Sequence, residues 1–62
     1  MKFKDFIYMY DNWNGVLCVN DNNLDLIVKG NTYKIITTHE NLHKKQVVAF
    51  GFYDNELCVR VK

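Results

Sequence analysis

Asp54-Asn55 stands between two runs, Val47–Tyr53 and Glu56–Lys62, that are rich in strand-forming residues and carry apolar groups at alternate positions. A strand has a side-chain period of two, so closing the chain at Asp54-Asn55 fixes which residues face one another. Phe52 then opposes Leu57, Phe50 opposes Val59 and Val48 opposes Val61. Three apolar pairs follow from one turn, and the segment is predicted to be a hairpin.

An earlier stretch has the same grammar. Gly15–Asn20 and Leu24–Lys29 flank turn-forming residues, and a turn at Asp21-Asn22 would pair Val19 with Leu24 and Leu17 with Leu26. Overlaying the two turns also aligns Leu24 with Leu57, Leu26 with Val59 and Val28 with Val61. Two short strands and a turn are a small menu, so this reads as convergence rather than duplication. Ahead of the first hairpin, Phe3, Phe6, Ile7 and Tyr10 have the spacing of one helical stripe, which predicts a helix over Lys2–Tyr10. It should stop in Asp11-Asn12-Trp13-Asn14-Gly15, with Trp13 plugging the core. Between the hairpins, Tyr33 and Ile35 alternate as in a strand over Asn31–Thr37. Thr37 and Glu40 then have capping-box spacing for a short helix ending near Gln46. The expected architecture is a single α+β domain over residues 1–62. A short N-terminal helix packs on an antiparallel sheet of two hairpins, with a second short helix between them. Its expected core is Phe6, Ile7, Leu17, Val19, Leu24, Leu26, Phe50, Phe52, Leu57 and Val59.

Composition bounds what such a domain can do. The chain has 62 residues and a net charge of +1, too little for a global field that recruits nucleic acid or an anionic membrane. No apolar run approaches a membrane span and no signal peptide is legible at Met1-Lys2-Phe3-Lys4-Asp5, so a cytoplasmic setting is expected. Two cysteines, Cys18 and Cys58, make neither a disulfide framework nor a structural zinc site. The eight Asn, and seven Lys against one Arg, suggest the codon bias of an AT-rich genome.

The sharpest motif is His39-Glu40-Asn41-Leu42-His43, which reads H-E-x-x-H and on one helix would place two imidazoles to bind zinc. A zincin also needs a third ligand and a cleft, and here Gln46 and Ala49 replace the Gly and His of the extended pattern. The solvated turn of a capped helix is the reading adopted. Asp21-Asn22-Asn23-Leu24-Asp25 begins like a calcium loop, but Leu26 replaces the required Gly and no closing Glu follows. Cys18 and Cys58 could form a redox pair, or a nucleophile with His39 or His43, yet free cysteine is more often a small buried hydrophobe. With no Ser and no Gly-rich phosphate loop, no catalytic set, metal or cofactor is expected, and the chain is not read as an enzyme.

Two surfaces remain. In the predicted register Val16, Cys18, Ile27, Val47, Ala49 and Cys58 share the sheet face away from the N-terminal helix. That face is too apolar to stay wet, which points to a homodimer or to burial against a target. Lys44, Lys45, Arg60 and Lys62 converge at one end of the sheet, a basic end that a small nucleic-acid-binding module could use.

Val47–Val61, with Tyr10–Gly15 and Val19-Asn20-Asp21, resembles small uncharacterised proteins encoded by phages and mobile elements of AT-rich Gram-positive bacteria. The resemblance implies an accessory protein, in a setting where small single domains often inhibit host defence, CRISPR nucleases included. The leading expectation is therefore a noncatalytic protein that binds a host protein and inhibits or modulates it. The alternative is the nucleic-acid-binding module with its basic end.

Overall fold

A computed structural model describes all residues, 1–62. The elements are α1 (Phe3–Tyr10), β1 (Val16–Asn20), β2 (Leu26–Asn31), α2 (Thr32–Thr38), a 3-10 turn (Glu40–Leu42), β3 (Val47–Tyr53) and β4 (Glu56–Val61). They form an α+β fold with one four-stranded sheet in the order β2-β1-β4-β3. Each hairpin is antiparallel, and the two meet through a parallel β1–β4 pair that sets Leu17, Cys18 and Val19 beside Leu57, Cys58 and Val59. No helix is long and apolar enough to cross a membrane.

Both helices cover the same face of the sheet. Phe3, Phe6 and Ile7 from α1, Ile35 and Ile36 from α2, and Leu42 from the 3-10 turn share one core with Leu17, Val19, Leu57, Val59 and Val61. The stripe read from the sequence is the buried side of α1. At its C-terminus Asp11 adopts the left-handed conformation (φ 52°), and its N–H closes the helix on Ile7 O. At the N-terminus Phe3 N–H donates to Lys45 O at 2.8 Å and Lys4 N–H to His43 O at 3.2 Å, so turn carbonyls satisfy donors that no capping side chain reaches. Trp13 is half-buried against this core, with its ring between Tyr8 and Tyr33.

The C-terminal hairpin has the expected register from Tyr53–Glu56 back to Ala49–Arg60, with Asp54 and Asn55 both left-handed (φ 53° and 65°) in the turn. A bulge then makes Val47, not Val48, the partner of Val61. The N-terminal hairpin differs more. Val19 pairs with Val28 and Leu17 with Gly30, and the connection widens to a loop over residues 21–25. The Asp21 carboxylate organises it, accepting from Asn23 N–H at 2.8 Å and Asp25 N–H at 3.0 Å, while Leu24 takes a left-handed φ of 68°. Leu24 and Leu26 are consequently exposed at 66% and 60%, outside the core, and the alignment of Leu24 with buried Leu57 is lost. Phe50 and Phe52 also leave the expected core list. They face α1, but β3 is an edge strand that one short helix cannot span, and both stay more than half exposed.

The segment between the hairpins is the largest correction. Asn31–Thr37 is not a strand leg. Thr32, Ile35 and Ile36 are buried at helical spacing, and Asn31 caps α2 by accepting from Lys34 N–H at 3.0 Å. The chain following Thr37 makes no second helix to Gln46, only the 3-10 turn that seats Leu42 in the core.

Candidate functional site on the open sheet face

With both helices on one side, the other side of the sheet has no covering element. The alternation of β1 and β4 buries Leu17, Val19, Leu57, Val59 and Val61 and presents Val16, Cys18, Glu56, Cys58 and Arg60 to the open face. Lys29 lies beside Cys18 in register, and its Nζ reaches Glu56 Oε1 at 3.0 Å, an ion pair that crosses β1 from β2 to β4. Ala49 and Gly51 belong to β3 where it pairs with Arg60 and Cys58. Gly51 is small for a reason visible here. A Cβ at Gly51 would lie 3.1 Å from Tyr53 Cε2 and Oη, so the glycine lets the Tyr53 ring lie along the strand.

A shallow cavity of about 140 Å³ opens on this face, lined chiefly by Asn20, Leu24, Ala49, Tyr53, Cys58 and Arg60. Arg60 lines this cavity, and its Nε is buried without a hydrogen-bond partner, whereas Lys29 and Glu56 satisfy each other. An unpaired buried guanidinium donor is costly, and its fork geometry suits a carboxylate. The residue pattern groups Arg60 with the basic end, and nothing in the order of residues reveals that its Nε is enclosed.

Cys18, Ala49 and Cys58 sit together, half-buried, on the open face, and Val16 and Ile27 are more exposed, at 39% and 37%. Val47 packs against the core instead. Lys44 and Lys45 are exposed in the turn before β3, and the paired Gln46 and Lys62 backbones bring Lys62 to the same end. Arg60 stands further along β4, between Asn20 and Ala49. His39 is the C-cap of α2 with non-helical backbone (φ −119°, ψ 61°), and Glu40–Leu42 is the 3-10 turn, so His39 and His43 do not share one α-helical face. A His43 ring nitrogen, Nε2, meets Ile36 O at 2.8 Å; a carbonyl only accepts, so that nitrogen carries a proton and is committed to structure. The sheet separates both histidines from the cysteines.

Two groups on the open face have shifted ionisation. Burial pushes the Cys58 thiol above its ordinary 9.0, and the neighbouring Cys18 adds to the shift. Hydrogen bonding and charge from Glu56 hold the Lys29 ammonium above 10.5. A raised thiol is mostly protonated at neutral pH, which disfavours it as a nucleophile. Both shifts contribute stability that is complete below the unfolded-state values. As pH rises past 9.0 for Cys58 and 10.5 for Lys29, the unfolded chain loses its protons first, and each contribution disappears as pH climbs through the folded-state value. Thermal melts should therefore hold steady around neutrality and drop above pH 9.0, less steeply in Cys58→Ala. An identical alkaline profile for Cys58→Ala would show that the thiol is not the titrating group.

Compared with protein-family models, curated proteins and solved structures, the chain matches none.

Proposed function

We propose that the chain is a noncatalytic binding protein whose open sheet face docks on a protein that presents a carboxylate beside apolar side chains. The observation that carries this reading is Arg60, its Nε buried and unpartnered, lining an open-face cavity with Leu24, Ala49, Tyr53 and Cys58. A partner's Asp or Glu would satisfy the guanidinium, while the small residues of the face let an apolar rim close around it and exclude water. Following the resemblance to phage and mobile-element proteins, the partner proposed is a host protein that is inhibited or modulated by occlusion, a CRISPR-type defence nuclease being the first to test.

The experiment compares retention of host proteins from a Gram-positive lysate by the parent, Arg60→Ala and Arg60→Lys. One protein should be retained by the parent, and titration with that protein should show affinity falling roughly thirtyfold in Arg60→Ala, the size of a hot-spot arginine. Arg60→Lys should restore little, because an ammonium cannot reproduce the fork. Equal retention by all three chains, or rescue by Lys, would remove Arg60 from the interface and the reading with it.

A further inference from the structure

The outer edge of β3 has a different character from the open face. Tyr53 and Glu56 flank a two-residue turn and form its hydrogen-bonded pair, so Gly51 and Ala49, at alternate positions, also direct their backbone groups to β4. Phe50 and Phe52 therefore direct their N–H and C=O groups away from the sheet. Natural edges are blunted by charge, proline or a covering element. Val47–Tyr53 contains no charged residue and no proline, and its outer side is capped only at Val47, whose N–H donates to Met1 O at 2.9 Å.

The side chains beside this edge are as unprotected as its backbone. Phe50 and Phe52 are 57% and 52% exposed, and Met9 is 64% exposed. Met1, Phe6, Met9, Tyr10, Val48 and Phe50 line an apolar groove of about 610 Å³ that runs along the strand under α1. The other edge strand, β2, carries Lys29 and leads directly into α2.

We propose that β3 pairs antiparallel with β3 of a second copy of this chain about a two-fold axis near Gly51, joining two four-stranded sheets into one. A second copy fits because the strand is self-complementary. With the axis near Gly51, Phe50 of each copy opposes Phe52 of the other on the helix side and Ala49 opposes Tyr53, so two-fold pairing sets no like charges opposite each other. Opposed residues of an antiparallel pair share a face, so Phe50 and Phe52 of both copies pack together beside the two grooves. An aromatic side chain offers about 150–250 Å² in all, so two half-exposed Phe with Met9, Met1 and Val48 supply on the order of 500 Å² per copy. The total of roughly 1,000 Å² reaches the lower bound for a specific interface. The two open faces then lie on the same side of one continuous sheet, and the Arg60 cavities remain uncovered.

Light scattering and backbone amide exchange of the full chain, from dilute to concentrated solution, test this together. The mass should rise from 7.4 kDa to twice that value and stop there. Exchange at the Phe50 and Phe52 amides should slow by at least about tenfold over the same range, while Gly51, already bonded to β4, should change little. Phe52→Lys should remain monomeric with an unchanged far-ultraviolet spectrum. A parent that stays at 7.4 kDa overturns the proposal, as does a dimer whose Phe50 and Phe52 amides exchange as fast as in the monomer. Mass that keeps growing past two copies overturns it too, because a two-fold contact closes.

Discussion

Phe3→Ala should leave little folded protein at room temperature. Phe3 is fully buried, the first residue of α1, and its N–H is tied to Lys45 O, so truncation opens a cavity where the helix, the turn before β3 and the sheet meet. Removing a buried Phe costs about 3–5 kcal/mol, and a domain of this size has roughly that much stability in total. Phe50→Ala is the control, since Phe50 is 57% exposed and its contacts are chiefly aromatic, with Phe6 at 4.8 Å between ring centroids and Tyr10 at 6.1 Å. In the dilute monomer it should cost only about 1 kcal/mol, the scale of an aromatic pair. Urea melts of the two variants side by side decide the matter. Equal losses would mean that the edge strand is buried in a way the fold described above does not allow.

Leu42→Ala is expected to be nearly as damaging, at about 2–5 kcal/mol, although Leu42 lies in a three-residue turn whose other members, Glu40 and Asn41, are exposed. Leu42 is fully buried and is the only residue of that turn in the core, so nothing nearby can fill the space. The same segment holds the H-E-x-x-H pattern, which gives the prediction a second arm. A zinc site at His39 and His43 would raise the melting temperature in proportion to metal occupancy. Added zinc should leave the midpoints of the parent and of His39→Ala unchanged, because the two histidines do not share an α-helical face and His43 Nε2 is spent on Ile36 O. A zinc-dependent rise in the parent that vanishes in His39→Ala would restore the metal reading.

The parts of the fold that were legible beforehand are those whose information is local. The α1 stripe and the Asp54-Asn55 turn each lie within a few residues of the contacts they determine, and both hold in the structure. Leu24 and Leu26 misled because alternation says which residues can share a face, not how many residues a loop uses. An Asp21 carboxylate bonded to two backbone N–H groups stabilises a wider loop than the two-residue turn assumed. At Asn31–Thr38 the β-branched Ile35, Ile36, Thr37 and Thr38 favour a strand by propensity, but Asn31 as cap and the burial of Thr32, Ile35 and Ile36 against the sheet favour a helix. Tertiary burial won. The candidate site is half visible in the sequence: alternation puts Cys18, Ala49 and Cys58 on the open face, while the parallel β1–β4 pair that sets Asn20 beside Arg60 is encoded by no local pattern.

That parallel pair also sets the order in which the molecule can assemble. Each hairpin closes over a short loop and can form on its own in microseconds, but the strands at the centre of the sheet, β1 and β4, are the inner members of different hairpins. Leu17 cannot reach Leu57, nor Val19 reach Val59, until everything between them has been made and brought into place. The entropy of closing that long segment falls on the step that creates the core, so pairing of β1 with β4 is expected to limit the folding rate. Until Val61 has left the ribosome, β1 has no central neighbour. The nascent chain then carries an open β1 edge through synthesis, an interval in which an unpaired strand edge is exposed to aggregation.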